Sequence, residues 1–188
     1  MVGIPSVAAP ARARILEAAE RVVTDVGPAR LTLDLVAQAA AVSKGGLLYH
    51  FPSKESLLVA LAHRYVESMQ QCIQVAKQGL QPGDAAGDIK ACIVGMLGTD
   101  VRSKAMGAAL LAAAANDLGL LEVIREHIAR YTAELLASRG NFARAAIVTL
   151  AVDGLKMRES LRISSFSEAQ RAEIVAELLK IADEAYQR

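Results

Sequence analysis

Apolar residues recur along this chain at helical spacing, and no segment alternates at the two-residue period of a strand. Between Ala11 and Val26, the positions Ile15, Ala18, Ala19, Val22, Val23 and Val26 form one stripe, with Arg14, Glu17, Arg21 and Asp25 on other faces. Gly27-Pro28 ends that helix. Thr32 caps a second helix to about Ala40, with Leu33, Val36, Ala37 and Ala40 facing inward. Ala41-Val42 supplies a turn, and Ser43 caps a third helix over roughly Lys44 to His50. Pro52 blocks its extension, and Ser53 caps a long fourth helix from Lys54 to about Gly79. The inner face of that helix is expected to carry Leu57, Leu58, Leu61, Tyr65, Met69, Cys72 and Ile73. Gln81-Pro82-Gly83-Asp84 reads as the clearest linker, and further helices fall near 85–98, 103–115, 118–137, 141–162 and 168–186. The pattern predicts an all-α fold of nine helices. Residues 1–10, with two prolines and small side chains, read as a flexible arm.

Composition narrows the picture. The chain has 188 residues, 53% hydrophobic and 22% charged, which is ordinary globular material with enough length for a substantial core. Aromatics make up only 4% and tryptophan is absent, in keeping with helices built on alanine and leucine. A formal net charge of +1 gives no attractive field over the whole molecule, so any nucleic-acid contact must use a local basic face. Cys72 and Cys92 are too few and too isolated for a zinc site; they read as reduced core residues, with a disulfide left open. Met1 to Pro10 lacks the pattern of a secretion signal, and the apolar run from Ala105 to Ala115 is too short to span a bilayer. The expectation is a soluble, cytoplasmic protein without membrane contact. No metal-ligand spacing, glycine-rich phosphate loop or nucleophile with an evident base occurs, so neither an enzyme nor a cofactor or metal is expected.

The most telling stretch is Ser43 to Lys54. It carries two lysines and a histidine, no carboxylate, and the adjacent pair Gly45-Gly46 early in a short helix. Each glycine costs about 1 kcal/mol against alanine inside a helix, but allows the backbone to come close to another surface. The major groove of DNA is the surface expected. The run Leu31-Thr32-Leu33, Val36-Ala37, Ala41-Val42-Ser43-Lys44-Gly45, Leu48-Tyr49-His50-Phe51-Pro52-Ser53-Lys54-Glu55 and Leu58 resembles the DNA-binding domain of the TetR (tetracycline repressor) family. This resemblance covers about residues 11 to 60. The rest agrees with that family in length, in helix count and in the step Asp153-Gly154-Leu155.

The resemblance implies a helix-turn-helix head over residues 11–55 and a ligand-binding and dimerisation domain over 56–188. It implies a ligand-responsive regulator, a repressor that binds a palindromic operator in double-stranded DNA as a homodimer and is released by an effector. The alternative is a helical adaptor that keeps the head and binds a protein. By position, Thr32 and Lys54 fall where relatives touch phosphates, and Ser43 belongs to the same surface. Lys44, Gly45 and Tyr49 are candidates for contacts at or near bases, Tyr49 equally for a phosphate. His50 is either a phosphate donor or a structural residue beneath Phe51. Gly46 and Leu48 depart from the larger or polar side chains of many relatives, which leaves base readout thin and gives more weight to shape and phosphate contacts.

In relatives the last two helices pair with their copies. Here Ala145, Ala146, Thr149, Ala151 and Gly154 of helix eight, and Ile174, Val175, Leu178, Leu179 and Ile181 of helix nine, give one apolar stripe more than a lone monomer needs and are assigned to such a bundle, a homodimer through the last two helices, with an internal core as the alternative. The candidate ligand residues are Tyr65, Met69, Met96, Met106, Asn116, His127, Tyr131 and Met157. His127 and Tyr131, four apart, share a helical face, while each methionine can equally be core filler. The scarcity of aromatic and charged inward positions points to a small, largely apolar effector of unknown identity.

Overall fold

The stripe on the first helix closes a core. In the computed structural model, which describes residues 10–115, 117–137 and 140–186, Ile15, Ala18, Ala19, Val22 and Val23 of α1 (Ala11–Val26) are all buried. Three elements follow closely: a 3-10 turn (Pro28–Arg30), α2 (Leu33–Ala39) and α3 (Lys44–His50). Then come α4 (Lys54–Gln78), α5 (Gly87–Leu97), α6 (Val101–Ala114), α7 (Leu118–Ala137), α8 (Phe142–Ser160) and α9 (Glu168–Tyr186). Among the described residues these are nine α-helices and no strand, as the spacing predicts. The 3-10 turn was not anticipated; Pro28 presets its first φ while lacking the N–H that the turn leaves unused.

Side-chain caps fix the short helices. Thr32 accepts a hydrogen bond from the Leu35 amide at 3.2 Å, and Ser43 accepts one from the Gly46 amide at 3.1 Å. Ser53 and Ser56 satisfy each other's amides at 3.1 Å in both directions, a capping box at the start of α4. Such caps contribute about 1 kcal/mol each. The turn between α2 and α3 is a Schellman motif: Val42 donates to Ala37 and Ala41 to Gln38, with Ala41 at φ 52°. An alanine in this glycine-favouring region is held there by Val36, Ala37 and Leu47, which bury their side chains on either side of the turn.

Two apolar clusters organise the chain. One joins α1–α4 to α6 and α7, through residues such as Ile15, Leu31, Leu47, Leu57, Leu61, Leu110 and Leu120. The other joins α5, α8 and α9, through Ile89, Ile93, Val148, Val152, Leu178 and Ala182. The helix-turn-helix segment therefore shares its core with α6 and α7. Ile174, Val175, Leu179 and Ile181 of α9 pack against the second cluster within the protomer. Between α4 and α5, Gly95 faces bare backbone. A Cβ there would lie 2.7 Å from Cα and N of Ile73 and 2.9 Å from the carbonyl carbon of Cys72.

Candidate functional site

Two regions gather the candidate side chains. The first is built on three helix starts. An ion pair of 2.9 Å between Lys44 Nζ and Asp34 sets the start of α3 beside the start of α2. Lys54 Nζ donates to the Ala29 carbonyl at 3.2 Å, which sets the start of α4 against the 3-10 turn. Thr32, Ser43, Lys44 and Gly45 are exposed, and Tyr49 is 86% exposed. A Cβ added at Gly45 would meet no atom within 4 Å, so the protein's own packing does not require glycine there. On the opposite side of α3, Leu47 and the following Phe51 are buried. His50 is half-buried, with its ring edge-on to Tyr49 at 5.1 Å and tilted against Phe51 at 6.5 Å. Arg12 lies 5.4 Å from the Phe51 ring centroid. Asp34, the partner of Lys44, was not among the sequence candidates; its position in the first turn of α2 is the only signal it gives.

The second region is a cavity of about 510 Å³ bounded by α4, α5, α6, α7 and α8. Tyr65, Met69, Met96, His127, Tyr131 and Met157 all line it, together with apolar residues such as Ile73, Leu110, Leu120 and Ile124. Gly107 also lines it and leaves room for Tyr65, whose hydroxyl would be 2.6 Å from a Cβ at that position. Met106 does not belong there. It lines a separate depression of about 330 Å³ with Glu20, Arg64, Asp100 and Arg102, because it points from α6 toward α1 and α4. Asn116 lies outside the described residues.

The cavity also holds charge that the sequence reading did not place. Lys156 is only 7% exposed, and it lines the cavity with Asp153. Its Nζ points at Sδ of Met69 and of Met96, the latter at 3.8 Å, and lies 5.6 Å from the Tyr65 ring centroid. Burial lowers the Lys156 pKa, although Cys72 and Asp153 pull the other way. Asp153 lines the same space and stays accessible to solvent, yet burial raises its carboxyl pKa. Burial also pushes the pKa of the Tyr65 hydroxyl up to about 12 and raises those of the Tyr131 hydroxyl and the Cys92 thiol. For His127, burial, followed by Arg130, lowers the pKa. Nδ1 of His127 is buried without a hydrogen-bond partner, and the buried Tyr131 hydroxyl has only the weakly bonding Cys92 thiol beside it. The signal for Lys156 was present in the sequence: it falls on the buried stripe Ala145, Val148, Thr149, Val152, Leu155 of α8.

A buried ammonium with only thioether acceptors is a net cost to folding. Lys156→Met is expected to raise stability by about 2 kcal/mol at neutral pH, measured by urea unfolding. The pH dependence has a definite sign. The unfolded lysine keeps its ordinary pKa of 10.5 and the folded one lies lower, so the unfolded state binds more protons between the two values. This group's cost is complete below the folded pKa and is relieved as pH rises toward 10.5. The variant should lose that rise, and a variant no more stable than the parent would mean that Nζ reaches water.

A capped helix-turn-helix head, set on a helical body that encloses a cavity, is the architecture of a helix-turn-helix regulator. Residues 15–61 match the family of bacterial regulatory proteins named tetR, and residues 89–183 match the tetracyclin repressor-like C-terminal domain. The chain belongs to the TetR family. A stretch of 62 residues is 39% identical to an uncharacterized HTH-type transcriptional regulator of Mycobacterium tuberculosis H37Rv, spanning 33% of this chain and 31% of that relative. Among solved structures, a TetR-family regulator from Rhodococcus sp. superposes with TM-score 0.72 at 22% identity, covering 94% of this chain and 99% of that one. A TetR-family member from Streptomyces coelicolor gives TM-score 0.70 at 27% identity, covering 89% and 97%. The multidrug binding protein EbrR in complex with imidazole gives 0.69 at 27%, covering 90% and 94%. No described helix is long and apolar enough to cross a membrane.

Proposed function

We propose that this protein is a cytoplasmic, ligand-responsive transcriptional repressor without catalytic activity, which binds a palindromic operator as a homodimer. The 11–55 head reads DNA and the 56–188 domain senses the effector and dimerises. The observation that carries the reading is the outer face of α3: Ser43, Lys44, Gly45 and Tyr49 are exposed while Leu47 behind them is buried. A short helix anchored by its inner face and open along its outer one suits insertion into a major groove. Thr32 and Lys54 flank it at the starts of α2 and α4, where backbone N–H groups favour phosphate oxygens. His50, half-buried beside Tyr49, is a candidate phosphate donor in the same set.

The dimer reading has its own support. On α8, Ala143, Ile147, Leu150, Gly154, Met157 and Leu161 recur at alternating steps of four and three. Ile147 is 59% exposed, Leu150 70%, and a Cβ at Gly154 would meet nothing within 4 Å. That is the spacing of a helix–helix seam, and the row runs along the mouth of the cavity, which Leu150 and Met157 also line. Two heads must sit about 34–36 Å apart to enter successive major grooves, and an effector bound in the cavity would favour a dimer in which they do not. The complexes of EbrR with imidazole, ethidium and malachite green show that a structurally similar protein binds small molecules.

Selection of bound fragments from the source genome by purified protein, at two salt concentrations, tests the whole reading. A palindromic site whose affinity falls as salt rises is expected. An interaction with a protein, indifferent to salt and without DNA enrichment, would instead identify an adaptor. On the recovered site Tyr49→Ala should cost about 1–3 kcal/mol of binding, by fluorescence anisotropy. The same change should leave the unfolding midpoint in place, since so exposed a side chain holds little of the fold. Unchanged affinity would remove Tyr49 from the DNA surface.

A further inference from the structure

We infer that the effector is a largely apolar molecule bearing one carboxylate, seated with that carboxylate against Lys156 in the cavity among α4, α5, α6, α7 and α8. This rests on the ligand-binding reading proposed above and names the chemistry of that same site.

The wall sets the first half of the specification. Met69, Met96, Leu110, Leu120 and Ile124 give a cavity of about 510 Å³ that is mostly apolar, so the body of the ligand must be apolar too. Lys156 sets the second half. At 7% exposure its ammonium group has left water; its direct contacts are two thioether sulfurs and the face of Tyr65, with Cys72, Asp153 and Cys92 near enough to act on its charge but not hydrogen-bonded to it. Sulfur is a weak acceptor, so three N–H donors face no oxygen acceptor of comparable strength. A ligand carboxylate would supply the missing counter-charge in a low-dielectric setting, where a charge-assisted hydrogen bond is strongest. Two more buried polar groups of this cavity, His127 Nδ1 without a partner and the Tyr131 hydroxyl with only the Cys92 thiol beside it, can each donate to an acidic head or an attached oxygen.

Asp153 is the group that argues for the opposite sign. It lies one turn before Lys156 on α8 and lines the same cavity, where it could receive a cation. One observation favours the anion. Asp153 remains accessible to solvent while Lys156 does not, so water already compensates the carboxylate and not the ammonium.

The test uses the full-length protein and matched probes in calorimetric titration. Decanoate and 2-naphthylacetate are the alkyl and aryl carboxylates, 1-decanol and 2-naphthaleneethanol their neutral partners, and decyltrimethylammonium the cation. At least one carboxylate should bind about tenfold or more tightly than its matched alcohol. That preference should collapse in Lys156→Met, whose melting temperature reports that it folds. Lys156→Arg should restore part of it. If an alcohol or the cation binds as tightly as the carboxylates, or the preference survives in Lys156→Met, the carboxylate inference falls while the ligand-binding reading stands. If none of the five probes binds, the inference falls and the ligand-binding reading loses its support as well.

Discussion

Ile147→Asp is expected to yield a monomer. Ile147 is 59% exposed on the outward seam of α8, so the protomer's core loses nothing when it is replaced. In a two-fold dimer the same position occurs on both partners, and each aspartate would have to shed its water in an apolar interface without a cation. The cost is several kcal/mol in total, a loss of a hundredfold or more in dimer affinity. Analytical ultracentrifugation over a concentration series reads it directly. Operator affinity should fall with it, because a single head engages only one half-site. A variant that stays dimeric with an unchanged constant would place the interface elsewhere.

Gly95→Val should be the most damaging single change inside the protomer. Its Cβ would lie 2.7 Å from Cα and N of Ile73, and backbone has no rotamer by which to yield. The two γ-methyl groups enlarge the conflict, so α4 and α5 must separate or α5 must rotate. Overpacking of this kind costs about 3 kcal/mol or more, against the roughly 5–15 kcal/mol by which a domain of this size is usually stable. Urea unfolding measures the loss. The cavity wall formed by Met69 and Met96 should open with the helices, so ligand affinity should fall even at temperatures where the variant is folded. Stability equal to the parent would show that α5 can shift without harm.

How much of this was legible in the chain depended on whether the cause was local. Thr32, Ser43 and Ser53 accept hydrogen bonds within three residues of themselves, so the starts of α2, α3 and α4 could be placed to the residue. Helical periodicity likewise identified inward faces, including those of Tyr65 and Met69. It could not say what each face would meet. Met69 and Met106 carry the same sequence signature, yet one lines the main cavity and the other a depression between α1, α4 and α6. The stripe of α9 reads first as a dimer bundle and second as internal core; its residues pack, half-buried, against the protomer's second cluster, while the more exposed apolar row belongs to α8. Lys156 was hidden by its type: a lysine is read as solvated unless its position on a buried stripe is given more weight than its charge. That omission left the expected effector largely apolar, with no charged group assigned to it.

The internal engagement of the head's cations bears on how such a protein finds its site. Lys44 is neutralised by Asp34, and Lys54, Arg30 and Arg21 donate to the carbonyls of Ala29, Val26 and Ala39. When DNA takes Lys44, Asp34 is released and gathers a cation from solution, so fewer counterions are freed than the number of basic residues suggests. Since counterion release supplies the affinity for random sequence, binding to non-operator DNA is expected to be weak, and the share of molecules held along the chromosome small.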